Sequence, residues 1–246
     1  LRAGALNELI LKSKALSFRR ENGLGDSDPI KLKSLLIKLQ VNTFFRPLSE
    51  TFSGMALKID GNRFMLINSS HPIGRQNFSI CHELYHLFIQ EKFDTLLCAT
   101  GNFDKKGKEE YSADIFSSSL LLPDAGIIDR LPDIEKLKNN IKLPTLIEIE
   151  QSFGCSRAAV LVKLKSLGII DNSKIEEFRT GVIHKARNLG YPIELYLPGR
   201  NDLNIGDYGK KASCMFEREL ISESNFASMM HDIGIDIYAE DNYGSY

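Results

Sequence analysis

The sequence predicts an α+β fold: a small antiparallel sheet packed by helices, followed by an all-α module and a small helical C-terminal unit. Short runs rich in β-branched and aromatic residues fall close together at Val41–Phe45, Met55–Ile59 and Arg63–Ile67, with hairpin chemistry in Asp60-Gly61-Asn62 between the last two. Apolar residues at helical spacing occupy most of the remaining chain. Its 246 residues suffice for a buried core with appendages.

Taken in order, Leu6, Leu9, Ile10 and Leu16 give residues 4–20 the apolar face of an amphipathic helix, which the segment Gly23–Pro29 breaks. Leu32, Leu35, Leu36 and Leu39 repeat at helical spacing and predict a second helix packed on the sheet. After the strands and the polar loop Asn68–Gly74, a helix is expected over Gln76–Gln90, then a long loop to Gly107. Another helix follows over Lys108–Leu122, ended by Pro123. Leu143–Phe153 and Ser156–Leu167, hinged at Gly154-Cys155-Ser156, have helix-turn-helix spacing. Asn172–Asn188 reads as one helix opened by the capping box Ser173-x-x-Glu176. The expected organisation is an N-terminal helix and linker (1–27), a core (28–130), a helical module (131–190), a Pro/Gly-rich linker (191–206) and a C-terminal helical unit (207–246).

Composition narrows the function classes. Hydrophobic residues at 43% and charged residues at 26% are those of an ordinary globular protein, which excludes a mostly disordered or fibrous chain. With 31 basic against 32 acidic residues no global field drives binding to nucleic acid or an anionic membrane, so any DNA contact is local. No apolar run approaches the roughly 18 residues of a membrane helix. Cys81, Cys98, Cys155 and Cys214 form no C-x-x-C pair, and a reduced, cytoplasmic setting is expected. The chain opens on Leu1 rather than Met and carries no signal-peptide pattern.

The chemistry concentrates in His82-Glu83-Leu84-Tyr85-His86, an H-E-x-x-H inside a predicted helix. Residues four apart share a helical face, so His82 and His86 can present imidazole nitrogens to one zinc ion. Glu83 points beside that pair, where a carboxylate can take a proton from an attacking water. Two histidines and a carboxylate favour zinc over manganese or iron. A catalytic zinc needs a third protein ligand. Glu110, Ala113, Asp114 and Ser117 share one face of the next helix, and the small Ala113 and Ser117 permit close approach to the histidine helix. Glu110 is therefore the expected third ligand, with Asp114 placed to orient a ligating histidine. The alternatives are that Glu109 and Glu110 only complement a helix dipole, or that Glu91 or Asp94 serves as ligand.

The run Arg75-Gln-Asn-Phe78-Ser-Ile-Cys-His82-Glu83-Leu84-Tyr85-His86-Leu87, followed by Glu110-x-x-Ala113-Asp114-x-Phe116 and Leu121-Leu122-Pro123, resembles the ImmA/IrrE family of metallo-endopeptidases. The likeness covers about residues 28–170. It implies a zincin-like core, with His82, His86 and Glu110 as ligands of one Zn2+ per chain and Glu83 as the catalytic base. It also implies hydrolysis of a protein substrate, a DNA-binding repressor of the Xre/Cro type, which relieves repression of a mobile element or stress response. The sequence departs from the commoner pattern at Tyr85, where Gly is frequent, at Cys81, and at the serines 117–119.

Three further expectations complete the reading. The substrate is held as an added strand on a sheet edge, with Arg63–Ile67 as one candidate edge. His71, His184 and His231 are candidates for stabilising the oxyanion. Arg157, Lys163 and Lys165 give the second helix of the helical module a basic face, opposed by Glu148 and Glu150, so direct DNA contact is a minor expectation. The alternative function is a non-catalytic metal-binding regulator acting through that module.

Overall fold

A computed structural model describes residues 3–91 and 107–238. Four strands, β1 (Val41–Arg46), β2 (Gly54–Ile59), β3 (Asn62–Asn68) and β4 (Asn204–Ile205), form one sheet in the order β2-β3-β1-β4. β2 and β3 make the expected hairpin, with Asp60 and Gly61 both at positive φ (48° and 79°), as a tight two-residue turn requires. β1, however, runs parallel to β3, Val41 opposite Arg63, so the sheet is mixed and not antiparallel throughout. The β1–β2 loop steps over one strand position and β3 inserts into the gap. Asn68 at the end of β3 holds that loop from inside. Its Oδ1 accepts from Leu48 N (2.9 Å) and its Nδ2 donates to the carbonyls of Ser49 and Phe52 (2.8 Å each).

Helices α1 (Ala3–Glu21), α2 (Leu32–Lys38), α3 (Ile73–Phe88) and α4 (Lys108–Leu121) pack with the sheet around one core. α1 belongs to that core, and its buried face is not the expected one. Leu11, Ala15 and Phe18 are buried, whereas Leu6, Leu9 and Ile10 stay exposed. The buried face also carries Arg19, whose guanidinium donates to the carbonyls of Gly25 (2.8 Å), Leu120 (2.6 Å) and Asp28. Those donors satisfy a carbonyl in the last turn of α4, which the helix itself leaves open.

α3 starts three residues earlier than the sequence predicts, directly after Pro72. Gly74 inside it has a packing reason: a Cβ there would lie 2.8 Å from Ser156 N and 2.9 Å from Cys155 C. Ile80, Leu84 and Leu87 form its core stripe. In α4 the buried hydroxyls of Ser112, Ser117 and Ser119 each donate to the carbonyl four residues back, which is how a serine-rich helix buries a face.

α5 (Asp124–Ile128), α6 (Leu143–Phe153) and α7 (Arg157–Ser166) follow. Gly154 closes α6 in the left-handed conformation and Ser156 caps α7, accepting from Ala159 N. The expected basic face of α7 is corrected here. Arg157 and Lys163 are 3% and 2% exposed; Arg157 forks onto the buried Glu150, and Lys163 meets Asp124 at 2.5 Å. Only Lys165 of the three faces solvent.

The expected helix Asn172–Asn188 is two, α8 (Asn172–Phe178) and α9 (Val182–Asn188), parted at Gly181 (φ 66°). Its cap is Asp171, which accepts from Ser173 N, and not Ser173. Residues 191–206 are packed structure and no linker. Leu195 and Tyr196 are buried, β4 pairs with β1, and Gln76 Nε2 on α3 donates to Gly199 O at 3.0 Å. α10 (Tyr208–Glu217) and α11 (Glu223–Asp232) end the described chain. Among the described residues no helix is long and apolar enough to cross a membrane.

Candidate metal centre

α4 packs along α3, and its small residues Ala113 and Ser117 are fully buried. This brings the first turn of α4 beside the histidines. Glu110 Oε2 lies 3.1 Å from His82 Nε2 and Glu110 Oε1 lies 3.6 Å from His86 Nε2. The three ligand atoms all fall within 4.8 Å of one another. Ligands about 2.1 Å from a tetrahedral ion sit roughly 3.4 Å apart, so the donor set fits a zinc ion in type and in spacing.

The far ring nitrogens are also engaged. His82 Nδ1 is 3.1 Å from Asp114 Oδ1, and His86 Nδ1 donates to Gln90 Oε1 at 2.6 Å. A carboxylate and an amide oxygen accept only, so both rings carry a proton on Nδ1 and turn Nε2 toward Glu110. Tyr85 fills the seam between the helices and donates to Glu109 Oε2 at 2.8 Å.

Burial and the carboxylates around His82 set the electrostatics of the cluster. Burial pushes Glu83 up to about 7, with Glu110 adding to the rise and His82 opposing it. Burial alone would lower His82, but hydrogen bonds to Asp114 and Glu110 and the charge of Glu83 outweigh it and lift it to about 10. His86 is held below its ordinary value by burial. The hydrogen bond with His82 keeps Glu110 low, against its own partial burial. Burial and the bond to Glu109 push Tyr85 up to about 12.

Glu83 is buried on α3, and β2 comes close to it at Gly54. A Cβ on Gly54 would stand 3.2 Å from Glu83 Oε1 and 3.1 Å from Ile67 Cδ1, so the strand approaches the carboxylate only because that residue has no side chain. Among the described residues β2 is an outer strand of the sheet, whereas Arg63–Ile67 lies inside it between β2 and β1 and is not an edge.

His82, His86, Glu110, Glu83 and Asp114 thus converge. Glu91 is exposed and outside the cluster, and Asp94 and Cys98 lie outside the described residues. His71 is buried with Nε2 2.9 Å from Glu50 O, and His184 and His231 are exposed on α9 and α11, so none of the three is placed with the cluster. Sequence reasoning missed Gln90, although its i+4 spacing from His86 was a usable signal, and it missed the Tyr85–Glu109 tie, which has no local mark.

The model of one family, described as the IrrE N-terminal-like domain of peptidase M78, matches residues 38–165, just over half of the chain. The chain belongs to that family. Its M78 segment runs from the end of α2 through α7 and holds every member of the cluster. A similar protein outside this chain is Metallopeptidase ImmA of Bacillus subtilis (strain 168), 33% identical over 70 residues. That alignment takes in 28% of this chain and 41% of the relative, so the chain matches less than half of that protein's length. The His82–His86–Glu110 cluster, which could hold a metal ion, lies within the M78 segment.

Proposed function

We propose that the chain is a zinc-dependent endopeptidase that hydrolyses a protein substrate, a DNA-binding repressor of the Xre/Cro type, and so relieves repression. The observation that carries the peptidase reading is the buried Glu83 carboxylate set between the His82–His86–Glu110 cluster and the outer strand β2. His82, His86 and Glu110 would hold the zinc ion, and Asp114 and Gln90 would fix the two imidazoles. Such an ion, when bound, polarises a carbonyl and acidifies a water.

The chain's own groups do the rest. Glu83 takes the proton of the attacking water and returns it to the leaving amine, the double task of a general base that then serves as general acid. β2 offers unpaired backbone groups on its outer side among the described residues, and a substrate laid along it as an added strand passes Gly54 and reaches Glu83. For the alternative, a regulator acting by protein or DNA binding, the burial of Arg157 and Lys163 leaves α7 only Lys165 of its expected basic face.

The test is incubation of the zinc-loaded protein with candidate Xre/Cro-type repressors, beside its Glu83→Gln variant. Wild type is expected to cut a repressor, and the variant to lose roughly 100- to 10,000-fold in rate, the worth of a general base. Equal repressor loss or DNA release with the variant contradicts turnover as the function.

A further inference from the structure

Arg75 is a charged residue of α3 that the scheme above leaves unused. It stands seven residues before His82, which on a helix returns it to nearly the same face, about 10 Å along the axis. The side chain is exposed, and one guanidinium nitrogen donates to Ser53 Oγ at 3.1 Å. Ser53 immediately precedes Gly54, the residue of β2 that approaches Glu83. Arg75 is therefore tethered, exposed, beside the start of β2, next to the point where that strand meets Glu83. Among the described residues no carboxylate pairs with it, so the remaining donors of its fork face solvent.

The opposite wall of the site has the other sign. α4 contributes Glu109, Glu110 and Asp114, and Glu110 and Asp114 lie within 3.1 Å of His82. A metal ion held by Glu110 would offset much of that negative charge, and a substrate carboxylate is drawn to the exposed Arg75. A strand advances about 3.3 Å per residue, and Ser53 is one residue from Gly54, so a side chain reaching Arg75 sits within about three residues of the bond facing Glu83.

We propose that Arg75 is a specificity residue that binds an Asp or Glu side chain of the substrate within three residues of the scissile bond. This rests on the peptidase reading and names a feature of its substrate. An arginine fork matches a carboxylate better than the single serine hydroxyl it now touches.

The test uses the zinc-loaded protein and a random dodecapeptide mixture blocked at both ends, with cut sites read by mass spectrometry. Wild type is expected to enrich Asp and Glu roughly two- to fivefold at one position near the cut, the worth of one partly exposed charge pair. Arg75→Gln should lose the enrichment, Arg75→Lys should keep part of it, and Arg75→Glu should favour Lys and Arg instead, all with unchanged zinc content and circular dichroism. Cutting without acidic enrichment, or enrichment that survives in Arg75→Glu, overturns this proposal and leaves the peptidase reading standing. A second mixture with free C-termini separates side chain from chain end, and enrichment seen only there also overturns it. If nothing is cut, capture of the blocked mixture on immobilised zinc-loaded Glu83→Gln decides. Acidic peptides retained in an Arg75-dependent way support the inference; equal retention of acidic and neutral peptides, or none, overturns it.

Discussion

Glu83 owes its position to two neighbours that differ in kind. The α3 helix turns it inward beside its histidine, and Gly54 leaves open the space in front of its Oε1. The Cβ of Gly54→Ala would be within 3.1–3.2 Å of Ile67 Cδ1, Glu83 Oε1 and Leu66 O, tight on every side without a frank clash. The variant is expected to fold and bind metal while losing roughly ten- to a hundredfold in kcat, because a displaced carboxylate misses its geometry. Steady-state kinetics beside zinc analysis checks this, and an unchanged kcat removes Gly54 from the account. At this scale the sequence was informative wherever chemistry imposes a spacing. His82 and His86 are fixed by the helical period, and Glu110 and Asp114 by sharing one face. Gln90 follows the same period from His86, whereas Tyr85 acquires meaning only through Glu109, which the fold sets across from it.

Elements were legible where a local rule ends them and obscure where tertiary packing decides. The β2–β3 hairpin follows from its turn residues, and α6 and α7 from Gly154 and Ser156. The parallel pairing of β1 with β3 has no local signature, because alternation in a strand reports its buried face and not the direction of its partner. β4 is two residues long, and only a partner strand makes it a strand. A charged residue on a helix predicts a solvated face, whereas Arg157 forks onto Glu150 with both side chains almost fully buried. Burial raises Glu150 despite Arg157 and Tyr196 opposing it, so removal of the cation leaves an exposed cost. Arg157→Leu is expected to destabilise by about 3–5 kcal/mol, and Glu150→Leu combined with Arg157→Leu by less than the single change. Denaturant unfolding of both variants measures this, and a double variant as unstable as the single one would contradict it.

Across the whole molecule, Asp124 on α5 joins Lys12 of α1 to Lys163 of α7 and so ties the N-terminal helix to the helical module. The separation of residues 1–27 and 191–206 from the core, expected from composition, fails against this tie, the Arg19 bonds and the pairing of β4. Burial would raise the Asp124 carboxyl, but Lys163 first and Lys12 after it hold it below its ordinary 3.8. A carboxyl lowered on folding stabilises above its unfolded value, and that stability is lost as pH falls through the folded value. Asp124→Asn is therefore expected to be less stable than wild type at neutral pH, with the gap closing as pH drops below about 3.8. Unfolding midpoints measured across pH 2–7 test it, and a gap that stays constant in acid would refute the linkage.

Everything proposed for this chain depends on His82, His86 and Glu110 together holding one zinc ion. Elemental analysis of the purified protein after dialysis, beside His82→Ala and Glu110→Ala, tests it most directly. The structure leads us to expect about one zinc per chain in the wild type, and a loss or sharp reduction in both variants. Wild type that keeps no zinc after resupply without chelator, or variants that keep all of it, would contradict the metal centre and the peptidase built on it.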